Sequence, residues 1–249
     1  MKKLVLPDQL PEDFVTFDDS NAYLIALSDI DRARLYPYPA PVGGYLLANG
    51  MLYYLDQAKI NRHKWLLDGR VAVLSVGSNR APVQLLRKFG NNAVVPVTPA
   101  RLFDCDIVHA AMLGYYAAVP CTAYPSDGCI VSLNVAWLDS TQLEQMHRTE
   151  GIGVAYDYVI MRNVVHDMVV PDQPVYGYSA RSGVLDFGSN WETVRRCKLQ
   201  VLAIPPRAFL LWPKRTISKP TIERQPFGLQ YTLSLLHPTP PFGDLCHAS

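Results

Sequence analysis

Apolar and polar positions along the chain alternate in short runs broken by Gly, Pro and Asn. Val71-Ala-Val-Leu74 is apolar and β-branched, and Gly77-Ser-Asn79 closes it. That is the pattern of a buried strand ending in a tight loop. Apolar residues then recur at 82/83, 85/86 and 89, which predicts a helix with Pro82 in its first turn, where a missing N–H costs little. Residues 129–137 have the length and β-branched content of a central strand. Asp139-Ser-Thr-Gln142 fits a capping box. Behind it Leu143, Met146 and Glu150 fall at i, i+3 and i+7, so the glutamate lies on the apolar stripe of a helix.

The remaining pattern is mostly extended. Asn49-Gly50 sits between two apolar runs, a hairpin signal because both residues tolerate the positive φ of a type I′ turn. Residues 91–99 read as a loop and a short edge strand, given Pro96 and Pro99. Residues 100–109 form a second strand candidate, and Pro125-Ser-Asp-Gly128 a turn. Residues 156–165 and 174–180 are further strands. Residues 191–204 mix both periods, with helix favoured in the first half, and from Pro205 the Pro-rich tail reads as extended chain. There is no internal repeat. Many short strands with few helices predict an α+β fold around a closed or nearly closed mixed sheet. Residues 1–70 are read as an N-terminal extension whose β-hairpin packs on the core, 71–204 as the core and 205–249 as the tail, together one structural domain.

Composition narrows the function classes. At 249 residues and 49% hydrophobic, the chain can bury a sizeable core. A formal net charge of +1, with no basic cluster among aromatics, argues against nucleic acid as partner. The apolar runs stop well short of the ~20 residues that span a bilayer, and Asp8 and Glu12 interrupt any signal-peptide core. Five cysteines without Cys-x-x-Cys spacing favour neither zinc nor a disulfide framework, so reduced thiols and a cytoplasmic location are expected. The strand, the Gly-Ser-Asn loop and the helix after it aim several backbone N–H groups at one small volume, which suits a carboxylate. A tight turn without a ligand is the plainer alternative.

Three segments, in this order, resemble the gamma-glutamylcyclotransferase-like family. Ser75-Val-Gly-Ser-Asn79 is similar to its Tyr-Gly-Ser-Asn substrate loop, and Ala118-Val-Pro-Cys-Thr-Ala-Tyr-Pro-Ser-Asp-Gly128 to its Ala-Thr and Pro-Gly turn segment. Val135-Ala-Trp137 through Thr149-Glu150-Gly151 is similar to its strand and helix ending in Glu-Gly. The resemblance covers roughly residues 70 to 180, and no part of the first seventy. It implies a mixed β-barrel with a few packed helices, and a cavity where Ser75, Val76, Gly77, Ser78 and Asn79 bind a small carboxylate or γ-glutamyl compound. It implies no metal and no organic cofactor. In the family a glutamate assists attack by the α-amino nitrogen on the γ-carbonyl and releases 5-oxoproline. This chain departs from that pattern twice. Val76 stands where the loop tyrosine would be, and the catalytic glutamate's place falls at about Val131. A valine carries no proton, so the activity does not transfer with the fold.

Glu150 is the alternative proton-handling group, since burial on a helical face would raise its pKa toward the working range. It can equally accept hydrogen bonds that fix the helix end. Asp127 is read as a turn former. Asp104 and Asp106 would share one strand face as a paired acid/base site or as exposed polar positions. His109 reads as a structural histidine, and Cys105, Cys121 and Cys129 as inert buried thiols. Tyr115, Tyr116, Tyr176 and Tyr178 line a pocket or fill the core. Two readings stand: a cyclotransferase with a relocated acid or base, and a non-catalytic small-ligand-binding module.

Overall fold

The computed structural model describes residues 10–17, 27–166 and 173–185, with the backbone of 222–224 and 231–233. In chain order the elements are β1 (Thr16–Phe17), α1 (Asp29–Leu35), β2 (Tyr45–Ala48), β3 (Met51–Tyr54), α2 (Gln57–Arg62), β4 (Val71–Ser75), α3 (Pro82–Phe89), β5 (Val94–His109) and β6 (Cys121–Leu138). There follow α4 (Ser140–Glu150), β7 (Tyr156–Ile160), β8 (Val164–His166), β9 (Val175–Ala180), β10 (Ile222–Arg224) and β11 (Tyr231–Leu233). All strands join one mixed sheet in the order β1-β3-β2-β5-β6-β4-β9-β7-β11-β10, with β8 branching onto β5. The molecule is therefore α+β with a large sheet and few helices. The sheet runs between two ends and does not close into a barrel, which corrects the closed-sheet expectation.

Local chemistry explains the elements that position the loop. β4 pairs antiparallel with β6, from Val71 opposite Leu138 to Ser75 opposite Asn134, and parallel with β9 on its other flank. A strand covered on both flanks and both faces reads as a continuous apolar run, as 71–74 does. Its alternate residues enter two cores. Ala72 and Leu74 join Leu102, Val131, Leu133 and Trp137 on one face. Val73 joins Leu85, Ala136, Leu138 and Met146 under α3 and α4 on the other. Pro82 starts α3, and Asp139 and Gln142 close a reciprocal capping box at the start of α4. Asn49 (φ 50°) and Gly50 (φ 74°) make the turn between β2 and β3.

Three local expectations are corrected. Residues 156–165, read as one strand, are two: β7 pairs with β9 and β8 with β5. Residues 94–109 form one long interior strand, not an edge strand followed by another. Pro99 falls in the gap between the β2 pairing, which ends at Val97, and the β8 pairing, which begins at Ala100. Residues 125–128 do not separate two strands; 126–129 are absorbed into β6 as a bulge. Phe103 pairs with Ile130 while Cys105 pairs with Pro125, and the Asp104 carboxylate accepts the Gly128 N–H at 3.0 Å. Residues 191–204 and most of the tail lie outside the described residues. Among the described residues no helix is long and apolar enough to cross a membrane.

Candidate functional site

Beyond Ser75 the chain turns through a single 3-10 turn, Ser78–Arg80, before entering α3. The turn is held by the Ala81 N–H on the Ser78 carbonyl at 2.9 Å and by the Tyr45 hydroxyl on the Arg80 carbonyl at 2.8 Å. Gly77 is required by a close approach rather than by its dihedral angles. A Cβ there would lie 2.5 Å from the Tyr36 hydroxyl oxygen and 3.6 Å from the Cys121 Cβ. That same oxygen accepts the Cys121 backbone N–H at 2.9 Å. Burial, with Cys121 and Tyr156 nearby, pushes the Tyr36 phenol well above its ordinary pKa.

Asn79 points the other way. Its Nδ2 donates to Glu150 Oε1 at 2.9 Å, and Lys88 Nζ donates to the same oxygen at 2.5 Å. Lys88 also lies 3.1 Å from the Met146 sulfur. The side chains of Lys88 and Glu150 are only 6% and 14% exposed, so an ion pair links α3 to the end of α4 with almost no water around it. Burial first, and then the Glu150 charge, push the phenols of Tyr156 and Tyr178 well above their ordinary range. The Tyr178 hydroxyl and His147 Nδ1 are 2.9 Å apart, and burial lowers the His147 pKa. Tyr158 stacks on Tyr176 beside them, with ring centroids 4.8 Å apart.

The expected site residues therefore separate. The loop and Glu150 come together through Asn79. Val131 is buried opposite Leu102, in the core on the face of the sheet away from Met146 and Leu85. The sheet thus lies between Val131 and Glu150. Asp104, at φ 52°, sits in the bulge, and Asp106 accepts the N–H of Ile107 at 2.7 Å, so the two carboxylates each serve the backbone rather than each other. Asp127 is exposed in the same bulge, and His109 is buried. Burial, with Asp104, Cys129 and Asp106 close by, pushes the Cys105 thiol up to about 11, which leaves it a poor nucleophile. Tyr115 is exposed against Arg32, far from a core-filling role.

Lys88 and Tyr36 were not expected at the loop. Lys88 follows Leu85 by three residues, so it lies on the apolar stripe of α3 as Glu150 does on α4. Two opposite charges on facing stripes are the signal that could have paired them. Tyr36 stands in a Pro-punctuated segment without periodicity, and no local pattern assigns it a partner. Among the described residues no group of three or more His, Cys, Asp or Glu side chains could hold a metal ion. Comparison with family models, with curated proteins and with solved structures finds no match for this chain.

Proposed function

We propose that this protein is a gamma-glutamylcyclotransferase-like binding module that holds a small carboxylate or γ-glutamyl compound at Ser75–Asn79 without cleaving it. The observation that carries this reading is the separation just described. Val131, at the place of the family's base, is buried among apolar side chains. Glu150, the one substitute, lies on the other face with its Oε1 engaged by both Lys88 and Asn79. General-base catalysis needs a carboxylate within hydrogen-bond reach of the proton it takes. A carboxylate locked into a buried ion pair has already committed its charge. Cleavage with Glu150 as relocated base is the second reading, and the contact between Glu150 and Asn79 of the loop is what favours it.

The test is calorimetric titration with γ-L-glutamyl-L-alanine. Wild-type protein is expected to bind it. Gly77→Val, in which the new side chain would collide with Tyr36, is expected to lose binding while keeping its circular-dichroism spectrum. Undiminished binding by the folded variant, or none by the wild type, contradicts the proposal.

A further inference from the structure

Tyr36 reaches the loop from outside the core of the resemblance. Its oxygen touches Gly77 and accepts the Cys121 N–H, as described above. A phenol has one hydrogen to give. Among the described residues the Tyr36 hydroxyl has no acceptor, and it appears in hydrogen bonding only as the acceptor for Cys121. The loop carries further unspent polarity. Among the described residues Ser75 Oγ and Asn79 Oδ1 are both buried without a hydrogen-bond partner, and Ser75 is only 1% exposed. Buried polar atoms left unsatisfied are costly and are rare unless something else supplies the partner.

The segment that delivers Tyr36 is firmly built. The Arg32 guanidinium lies 4.5 Å over the Tyr116 ring and donates to the Tyr115 hydroxyl at 3.1 Å. Arg87 of α3 lies 5.2 Å over the Tyr38 ring, and Tyr38 packs with Ala81 and Val83. The segment is thereby clamped both to the loop before β6 and to the start of α3.

We infer that Tyr36 is a ligand-binding residue of this site, its hydroxyl donating to an oxygen of the bound carboxylate, with residues 27–40 forming one wall. The inference rests on the loop being the binding site. It gives the N-terminal extension a role in recognition: a neutral donor selects for a strong acceptor, and a carboxylate is a stronger acceptor than an amide.

The experiment compares two probes, γ-L-glutamyl-L-alanine and the same compound with its glutamyl α-carboxylate converted to a carboxamide. Tyr36→Phe is expected to weaken binding of the acid roughly ten- to a hundredfold, the scale of a hydrogen bond to a charged group, and of the amide by clearly less. Equal affinity of wild type and folded Tyr36→Phe for the acid overturns the assignment and leaves the loop as the site. Tighter binding by Tyr36→Phe also overturns it, because the phenol would then be occupying the ligand's place. Should Tyr36→Phe not fold, 3,5-difluorotyrosine at position 36 keeps the shape and makes a stronger donor. Tighter binding of the acid supports the assignment, and unchanged affinity overturns it. Wild type that binds neither probe overturns the proposed function, and this assignment with it.

Discussion

The two faces of the sheet at β6 hold different kinds of residue. On one, Val131, Leu133, Val135 and Trp137 pack with Ala72, Leu74 and Leu102. The polar group of Trp137 is spent at once, its indole N–H donating to Thr98 Oγ1 at 2.9 Å. On the other, α3 and α4 cover Val73, Ala136 and Leu138 and carry the Lys88–Glu150 pair beside the tyrosines and His147. Arg70 is also buried at the foot of α4, where it donates to the Trp137 carbonyl and to Gln142 Oε1, both at 3.0 Å. Burial lowers its pKa to about 10, with Asp139 opposing the shift. Buried charge is tolerated where flexible helix side chains can bring a partner to it, and avoided where neighbouring strands present only apolar groups. In the proposed reading, a carboxylate at Glu150 on the helix face therefore does not substitute for one at Val131 on the strand face.

The difference between the two faces is most exposed to test at Val131. Val131→Glu puts an unpaired carboxylate into the apolar face, and urea denaturation should show a loss of about 3–5 kcal/mol. Unchanged stability would mean that this face is open to water and could have held a base. Next comes the helix face. Lys88→Met leaves Glu150 buried without its cation and should cost about 3 kcal/mol. Lys88→Met with Glu150→Gln should cost markedly less than the two single changes added, and simple additivity would show that the pair is not coupled. Asp139→Ala removes the cap of α4 and should cost about 1 kcal/mol by the same measurement. Full retention of stability would show that packing alone fixes this helix.

The smallest effect is a slope with pH. Burial depresses His147 in the folded state, so the unfolded chain, with its ordinary value of about 6.5, takes up the proton more readily. Stability from this group is full above about pH 6.5 and declines as pH falls through that value toward the folded one. His147→Gln should flatten that part of the profile, and an unaltered slope would assign it to another group.

How much of this was legible in the sequence depended on the range of the interaction. β4, α3, the Asn49-Gly50 turn and the capped α4 were legible because each is specified by residues a few positions apart. The bulge at 126–129 was not, because Pro125-Ser-Asp-Gly128 is equally good chemistry for a hairpin turn, and only the Asp104 carboxylate on the neighbouring strand settles its use. The long β5 was hidden by Pro99, whose tolerance depends on which neighbour is missing beside it. At the candidate site, the loop and the position of Glu150 on an apolar stripe were readable. Its partner Lys88 lies 62 residues away, and Tyr36 reaches Cys121 across 85, separations that periodicity does not register.

The proposed binding module holds its ligand at the loop while no base serves it. The most direct measurement follows γ-L-glutamyl-L-alanine with wild-type protein and with Glu150→Gln, recording heat of binding and 5-oxoproline formed in the same samples. The wild type is expected to bind it, with 5-oxoproline formed no faster than in buffer alone. Release of 5-oxoproline by the wild type that Glu150→Gln reduces by about 10²–10⁴-fold, the usual cost of losing a general base, would contradict the proposal.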